Sequence, residues 1–218
     1  MTLHVYALTE HPATLPATRG IDESPLESVQ VNGFDVIVSD VAAAATEPAI
    51  LAHARVVDEV LAANDAVLPA RFGAGVDGVA ALGDAIRGRA DTLRGALDRV
   101  RGNVEIGLRV TTAAPRDHAN AAASGQAYLK NRLAEVQAAE RAAHEIHGPL
   151  AAAAQDDTLN VLATPGLLLS AAYLIPRADV DEFRARVEAL DAAHPELTFV
   201  CTGPWPPYSF ATVETASP

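Results

Sequence analysis

The sequence predicts an α+β fold built from two related halves. In the second half the predicted elements follow the order β-α-β-β-α-β, and the first half repeats this order with a proline-rich loop in place of its first helix. This is the order of a split βαβ, or ferredoxin-like, domain. We therefore predict two ferredoxin-like domains, the first one modified, at residues 1–75 and 103–203. A connecting helix is predicted at residues 76–102, and a Pro/aromatic C-terminal strap with the tail at residues 204–218.

The first half opens with a predicted strand at residues 3–8, followed by a loop rich in proline, glycine and threonine. A hairpin comes next, because Asn32-Gly33 supplies the two positive-φ positions of a type I′ turn. Its strands are residues 27–31 and 34–39. These three strands form the first part of the predicted N-terminal domain.

A helix is predicted from Thr46, a favourable N-cap residue, to about Asn64. A short strand at residues 67–72 follows, and Pro69 places it at a sheet edge or strand end. Apolar side chains at helical spacing mark the face that the helix buries, namely Ile50, Val57, Val60 and Leu61.

The connecting segment is predicted to be one longer helix. Its three glycines each weaken it by roughly 1 kcal/mol relative to alanine, so packing must stabilise it. Arginines alternate with aspartates along it, which favours a solvated, salt-bridged face over an anion-binding patch. The predicted buried positions step by threes and fours: Val79, Leu82, Ile86, Leu93, Leu97 and Val100.

The second half begins with a strand at residues 104–110, which alternates with period two. A polar, alanine-rich helical stretch follows from Asn120 to about Gln155, and Gly148-Pro149 is predicted to break it. Two strands come next, at residues 158–163 and 167–175, and Pro165-Gly166 forms the turn between them.

The last helix is predicted to open at a capping box made by Asp179 and Glu182 and to stop at His194-Pro195. A strand at residues 197–201 completes the domain. The expected buried face of the helix comprises Val180, Phe183, Val187 and Leu190.

Composition limits the function. The net charge is −12, which argues against nucleic acid or an anionic membrane as the main partner, since both require a basic surface. No window reaches the roughly 18 apolar residues that a membrane helix needs. The single cysteine, Cys201, rules out an internal disulfide framework and suits a reducing cytoplasm. Because Cys201 follows an apolar run, we expect a buried structural thiol.

Two clusters of residues are candidates for chemical sites. Gly73-Ala74-Gly75-Val76-Asp77-Gly78 spells G-x-G-x-x-G between a strand and a helix, as in a dinucleotide-binding turn. The next strand lacks the acidic residue at its end that would bind the ribose, so a flexible loop or helix entry is favoured. Glu140, His144, Glu145 and His147 lack the spacing of a zinc motif, and a solvated helix face is favoured. No catalytic residue, cofactor or metal is predicted.

The segment Gly203-Pro204-Trp205-Pro206-Pro207-Tyr208-Ser209-Phe210 holds the one tryptophan of the chain. Its prolines fix φ and lack N–H donors, which predicts a stiff, extended strap. We expect Trp205 to fill a pocket, so that the strap acts as a clasp on its own protein. A partner-binding strap is the alternative.

The sequence resembles gas vesicle proteins of the GvpF/GvpL family over almost its whole length. The terminal octapeptide is the most specific part of the resemblance. Ala70 and Ala74-Gly75 depart from the family pattern, which leaves the role of the loop after Arg71 open. The segments that carry the resemblance are residues 53–59, 67–73, 104–110, 125–129, 171–175, Phe183 and 202–210.

The resemblance implies a minor gas vesicle protein in the cytoplasm and at the gas vesicle, with no cofactor and no enzymatic activity. Its implied role is to support assembly by binding the small hydrophobic shell protein, the major shell component, and limiting its aggregation. Other gas vesicle proteins are further candidate partners, and the F or L type stays open. The candidate motif or contact residues are Leu68, Pro69, Arg71, Phe72, Gly73, Trp205, Pro206, Pro207, Tyr208 and Phe210.

Two alternative functions stay open. One is a nucleotide- or small-molecule-binding enzyme that uses the loop at residues 73–78. The other is a generic ferredoxin-like interaction module with a different partner.

Overall fold

A computed structural model of the chain describes residues 2–112, 125–160 and 166–211. It has the predicted α+β fold, with two separate sheets. Contacts divide the chain into a first unit, Met1–Val104 with Trp205–Pro218, and a second unit, Glu105–Pro204. This division differs from the predicted one, because the segment expected to connect two domains belongs to the first unit, as does the strap.

The sheet of the first unit has the order β2-β3-β1-β4, and a further short strand, β5, also pairs with β1. β1 is antiparallel to β3, β4 and β5. β4 pairs with residues 7–9 of β1 and β5 pairs with residues 3–4, so the two short strands share one edge of β1. The strands are β1 (Leu3–Glu10), β2 (Glu27–Val31), β3 (Phe34–Asp40), β4 (Val67–Pro69) and β5 (Gly75–Val76).

The predicted hairpin is confirmed. Asn32 and Gly33 have φ angles of 52° and 83°, and Val31 lies opposite Phe34 across the two-residue turn. A type I′ turn matches the twist of the flanking strands and needs positive φ at both central residues, which is why Asn-Gly identified it from the sequence.

Helix α1 (Glu47–Ala63) begins as predicted, since the Thr46 side chain accepts a hydrogen bond from the Ala49 N–H at 3.4 Å. The predicted burial of Ile50 is wrong, because its side chain is 45% exposed. Ala49 occupies the buried position of the first turn instead, which shifts the apolar stripe by one residue. The buried stripe comprises Ala49, His53, Val56, Val57, Val60 and Leu61.

The connecting segment forms two helices, α2 (Gly78–Arg87) and α3 (Ala90–Val100), so the prediction of one continuous helix is wrong. Arg89 between them has a non-helical φ of −131°, next to Gly88, whose missing side chain disfavours helix. Val79 is 50% exposed, against prediction. The salt-bridged face is confirmed by the pairs Asp84–Arg87, Asp91–Arg94 and Asp98–Arg101.

The sheet of the second unit has the order β7-β8-β6-β9. If the strands of each unit are numbered in chain order, both sheets have the strand order second, third, first, fourth. The elements are β6 (Asn103–Thr112), α4 (Gly125–Ala151), β7 (Asp156–Asn160), β8 (Leu167–Pro176), α5 (Val180–Ala193) and β9 (Leu197–Trp205). None of the helices in the described ranges is long and apolar enough to cross a membrane.

In the second unit, details of both helices differ from prediction. α4 continues through Pro149 to Ala151, because a proline in the last turn removes only one intrahelical hydrogen bond. Asp179 is the N-cap of α5, but its side chain makes no capping hydrogen bond. Leu190 is half-buried, whereas Val180, Phe183 and Val187 are buried as expected.

Parts of three further predictions lie outside the described residues. These are the helix start at Asn120, the strand end at residue 163 and the turn residue Pro165.

Candidate functional site

The family-like segment around Arg71 forms a short loop on the edge of the first sheet. On one side the Ala70 N–H donates to the Tyr6 carbonyl at 2.8 Å, and on the other the Val5 N–H donates to the Ala74 carbonyl at 2.9 Å. Gly73 has φ +87°, a conformation that favours glycine. The chain therefore leaves the edge of β1 for three residues, 71–73, and then rejoins it.

Five of the predicted site residues come together here. Leu68 and Pro69 are buried in β4, Phe72 is half-buried, and Arg71 and Gly73 are exposed. The Arg71 guanidinium makes no hydrogen bond or ion pair with any residue that the structure describes. The loop thus presents an exposed cation on an anchored backbone.

A buried histidine pair holds this loop. His4 in β1 is 2% exposed and His53 in α1 is 3% exposed. His53 Nε2 lies 2.9 Å from the Ala70 carbonyl oxygen, and His53 Nδ1 lies 2.9 Å from His4 Nε2. Because a carbonyl only accepts, His53 Nε2 carries the proton and its Nδ1 accepts from His4 Nε2–H. The chain of bonds fixes both tautomers.

Electrostatics keep both rings neutral. Burial, followed by the proximity of His53, lowers the pKa of His4 to about 4. Burial also lowers the pKa of His53, although the hydrogen bond to Ala70 opposes this. At neutral pH the pair therefore acts as a hydrogen-bonded strut between β1, α1 and the loop.

Aromatic packing closes the same cluster. The Phe72 ring lies 5.6 Å from the His4 ring and 5.7 Å from the His53 ring, between centroids. Tyr6 packs against both histidines, at 4.8 and 5.3 Å. The two histidines do not stand out in the sequence as a pair. The available signal was helical spacing, since His53 shares the buried stripe with Val56 and Val60.

A cavity of about 300 Å³ lies beside the loop. Its lining is mostly backbone and small side chains: Thr2, His4, Val41, Ala42, Ala43, Ala44, Gly73 and Gly75. His4 is the titratable side chain in this lining, and it is held neutral. The cavity suits a small apolar group better than a charged ligand.

The glycine pattern at residues 73–78 does not form a dinucleotide-binding turn. Gly75 and Val76 make up β5, which is antiparallel to β1, and Gly78 opens α2. In dinucleotide-binding units the corresponding glycines connect a parallel strand to its crossover helix. The geometry therefore gives the nucleotide alternative no support.

The histidines of α4 are only partly solvated. Glu140, His144 and Glu145 are exposed, as predicted. His147 is instead within hydrogen-bonding distance of the Tyr173 hydroxyl (3.0 Å) and the Asp157 carboxylate (3.1 Å). It ties α4 to the β7–β8 hairpin. Within the described ranges, no group of residues has the makeup of a metal site.

The strap separates into an exposed and a buried part. Trp205, the last residue of β9, is 48% exposed, so the prediction that it fills a pocket is wrong. Pro206 and Pro207 are buried, Tyr208 is half-buried, and Phe210 is 3% exposed. A turn in which the Phe210 N–H donates to the Pro207 carbonyl (3.1 Å) places the smaller aromatic side chain inside. Phe210 therefore has the anchoring role expected of Trp205.

β9 itself is longer than predicted and lies at the edge of its sheet. It includes Pro204, which has no N–H to donate and which an edge strand tolerates because its open side needs no donor for the ladder. Cys201 in the middle of β9 is exposed, which corrects the expectation of a buried thiol. Partial desolvation raises the pKa of Cys201, so the thiol is not an activated nucleophile.

Comparisons with known proteins agree on one family. The family described as "Gas vesicle synthesis protein GvpL/GvpF" matches residues 2–212. Gas vesicle protein F2 of Halobacterium salinarum is 31% identical over 191 residues, which covers 85% of this chain and 80% of that protein. Gas vesicle protein L of a Streptomyces species is 35% identical over 114 residues, which covers 45% of this chain and 41% of that protein.

Solved structures show the same fold. The crystal structure of GvpF from an Anabaena species has a TM-score of 0.79 and 19% sequence identity, and the match covers 98% of this chain and 97% of that one. GvpF from Microcystis aeruginosa gives 0.77 and 22%, with coverage of 97% and 99%. The two-sheet architecture is thus that of solved GvpF structures.

Proposed function

The chain belongs to the gas vesicle synthesis protein GvpL/GvpF family, and from that premise we propose that it binds the small hydrophobic shell protein and limits its aggregation during assembly. Membership itself implies a role in gas vesicle formation. The relatives are named as gas vesicle proteins of both the F and L types, and not as enzymes. The proposed location is the cytoplasm, at the growing vesicle.

The proposal addresses a physical problem of assembly. A hydrophobic shell subunit with unpaired strand edges is prone to pair wrongly before it joins the wall. A carrier must therefore contact apolar surface while it keeps the complex soluble. The net charge of −12 on this chain supplies the repulsion that opposes association of such complexes.

The observation that carries the proposal is the exposure of large apolar side chains on this acidic protein. Exposed apolar groups of this kind are typical of interaction surfaces when they cluster. Ile50 and Leu51 lie together on α1, and Val200 and Trp205 lie on β9. Leu129 and Leu133 lie one turn apart on α4, whereas Val79 is an isolated exposed position on α2 and is not part of the proposed surface.

Co-purification tests the proposal. An affinity-tagged chain is co-expressed with the shell protein, and the soluble fraction is captured in parallel with that of an equally acidic, unrelated carrier. We expect the shell protein to stay soluble and to elute with the tagged chain only. Shell protein that sediments equally in both cultures would contradict the proposal.

The two alternative functions have separate tests. Calorimetric titration with nucleotides and dinucleotides would support an enzyme if binding in the micromolar range were found. Deletion of the gene in a vesicle-forming cell addresses a generic interaction module, since an unchanged yield of vesicles would remove the role in assembly.

A further inference from the structure

The sequence of β9 is unusual for this chain. Leu197–Trp205 reads LTFVCTGPW and has no charged residue in nine positions, although 20% of the whole chain is charged. Thr, Phe, Val and Trp favour extended backbone. An uncharged strand of this composition is the kind of segment that natural proteins normally protect.

In the described part of the chain, no strand pairs with the outer edge of β9. β9 pairs with β6 on one side, and it ends the sheet on the other. Thr198, Val200 and Thr202 are exposed on one face of the strand, and Cys201 is exposed as well. Arg184 donates a hydrogen bond to the Gly203 carbonyl near the end of β9. An edge of this length offers unpaired main-chain donors and acceptors to an incoming strand.

The other sheet edges in the described part of the chain carry protective features. β2 begins at Glu27 and is contacted by α2. The β4 edge is three residues long, contains Pro69 and is interrupted by the loop at residues 71–73. β7 has five residues and opens with Asp156-Asp157. β9 is nine residues long and uncharged, and its own protective features, Pro204 and the hydrogen bond from Arg184, both lie near its end.

We propose that β9 is the acceptor edge to which an extended segment of the shell protein adds as a further strand of the second sheet. The inference rests on the proposed function and assigns its surface. Strand addition gives affinity through main-chain hydrogen bonds and specificity through side chains that alternate along the edge. An uncharged edge fits an uncharged, apolar strand, because no buried charge is then left unpaired. Val200 and Trp205 provide apolar contacts on the exposed strand.

Cys201 provides a native probe for this edge. It is the single cysteine of the chain and lies at the centre of β9, so alkylation by iodoacetamide reports on one position. The reaction is run at mildly alkaline pH, with the free chain and with the complex co-purified with the shell protein. We expect the rate of alkylation to fall by about tenfold or more in the complex, which corresponds to an edge occupied most of the time. A second probe, Val79→Cys in a Cys201→Ser background, should react equally fast in both.

A matched pair of variants tests the edge independently. Val200→Lys places a charge on β9, whereas Val79→Lys places the same charge on α2 at nearly the same exposure, 47% against 50%. Both should keep the wild-type melting temperature, since both sites are exposed. We expect Val200→Lys to reduce the recovery of shell protein by about tenfold and Val79→Lys to leave it unchanged.

The outcomes separate the two proposals. If no complex forms with the wild-type chain, the proposed function fails. If a complex forms but Cys201 stays fully reactive, or if Val200→Lys does not reduce the recovery of shell protein, the assignment to β9 is overturned while the proposed function stands. Protection of Cys201 that rises with concentration of the free chain would also overturn it, because the edge would then join two copies of this chain.

Discussion

The two units share one strand order but differ in what lies between their first and second strands. In the first unit β1 and β2 are joined by a loop with one short 3₁₀ turn, Ile21–Glu23. In the second unit the corresponding connection contains helix α4. A helix pairs its own backbone groups and can cover a sheet by apolar packing alone, whereas a loop must find partners for its backbone elsewhere.

The loop of the first unit is accordingly fixed by polar side chains from the sheet and helix. The buried Asp35 carboxylate accepts hydrogen bonds from the Ala13 N–H (2.7 Å) and the Ser28 hydroxyl (2.8 Å). Asn64 bonds both the N–H and the carbonyl of Thr14. The Tyr6 hydroxyl accepts from the Ile21 N–H at 2.9 Å. In this loop, these bonds take the place of the backbone hydrogen bonds that a helix makes within itself.

Helix α4 covers its sheet mainly by apolar packing. Among its described side chains, Ala143, Ile146 and Leu150 are completely buried, and His147 bonds to Tyr173 and Asp157. Two sheets with the same strand order are thus covered in two different ways. The first unit depends on specific hydrogen bonds, and the second depends on apolar volume.

Ile146→Ala gives the largest expected effect on stability. It removes a fully buried side chain of α4, so the free energy of unfolding should fall by about 2–5 kcal/mol. Urea unfolding followed by circular dichroism measures the change. Leu133→Ala on the exposed part of the same helix is the control, because Leu133 is 58% exposed and should cost less than about 1 kcal/mol. Equal losses would show that apolar burial does not distinguish these positions.

Acid should weaken the first unit through its histidine pair. Burial lowers the pKa of His4 from 6.5 to about 4. In the unfolded chain His4 is therefore protonated below about pH 6.5, whereas in the folded chain it is protonated only below about pH 4. The free energy of unfolding should fall over this window by about 3 kcal/mol in total from His4.

His4→Gln is the variant that isolates this contribution. Its stability should depend less steeply on pH between 4 and 6.5 than that of the wild type, as measured by urea unfolding at several pH values. Parallel pH curves for the two proteins would contradict the assignment of a neutral, buried His4.

Tyr6→Phe and Tyr173→Phe compare one hydroxyl from each unit. The Tyr6 hydroxyl has two partners, the Ile21 N–H and the Ser39 hydroxyl, whereas Tyr173 has His147. Loss of the Tyr6 hydroxyl leaves the Ile21 N–H without its partner, so we expect the free energy of unfolding to fall by about 1–3 kcal/mol. We expect a smaller fall for Tyr173→Phe. Limited proteolysis within residues 11–26 should increase for Tyr6→Phe only. Faster cleavage in both variants would contradict the expectation that only the Tyr6 hydroxyl fixes this loop.

Trp205→Ala should have the smallest effect on stability. Its side chain is 48% exposed, so the free energy of unfolding should change by at most about 1 kcal/mol. Phe210→Ala removes a buried ring and should cost several times more, as thermal melting will show. A large loss for Trp205→Ala would restore it as the clasp of the strap.

Local patterns predicted most of the fold. The Asn32-Gly33 turn, the Thr46 cap and the periodicity of the strands each depend on neighbouring residues, which a sequence displays directly. The His4–His53 pair joins residues 49 positions apart, and no local pattern reveals such a contact. The loop residues Arg71 to Gly73 were found through the family resemblance, but their support by His53 was not.

The same limit explains the errors. Helical spacing placed Ile50 and Val79 on buried faces, yet the extent of a buried stripe depends on what the helix packs against. Composition pointed to Trp205 as the anchor of the strap, and only the turn at Pro207 selects Phe210. The exposure of β9 could not be predicted either, since the order of strands in a sheet decides which strand is an edge.

Hydrogen–deuterium exchange on the purified complex with the shell protein tests directly whether β9 is the acceptor edge. We expect the backbone amides of β9 to become strongly protected in the complex, while those of β2, the edge strand next to β3 in the first sheet, exchange as in the free chain. Unchanged exchange across residues 197–205 in a stable complex, with protection elsewhere, would contradict it.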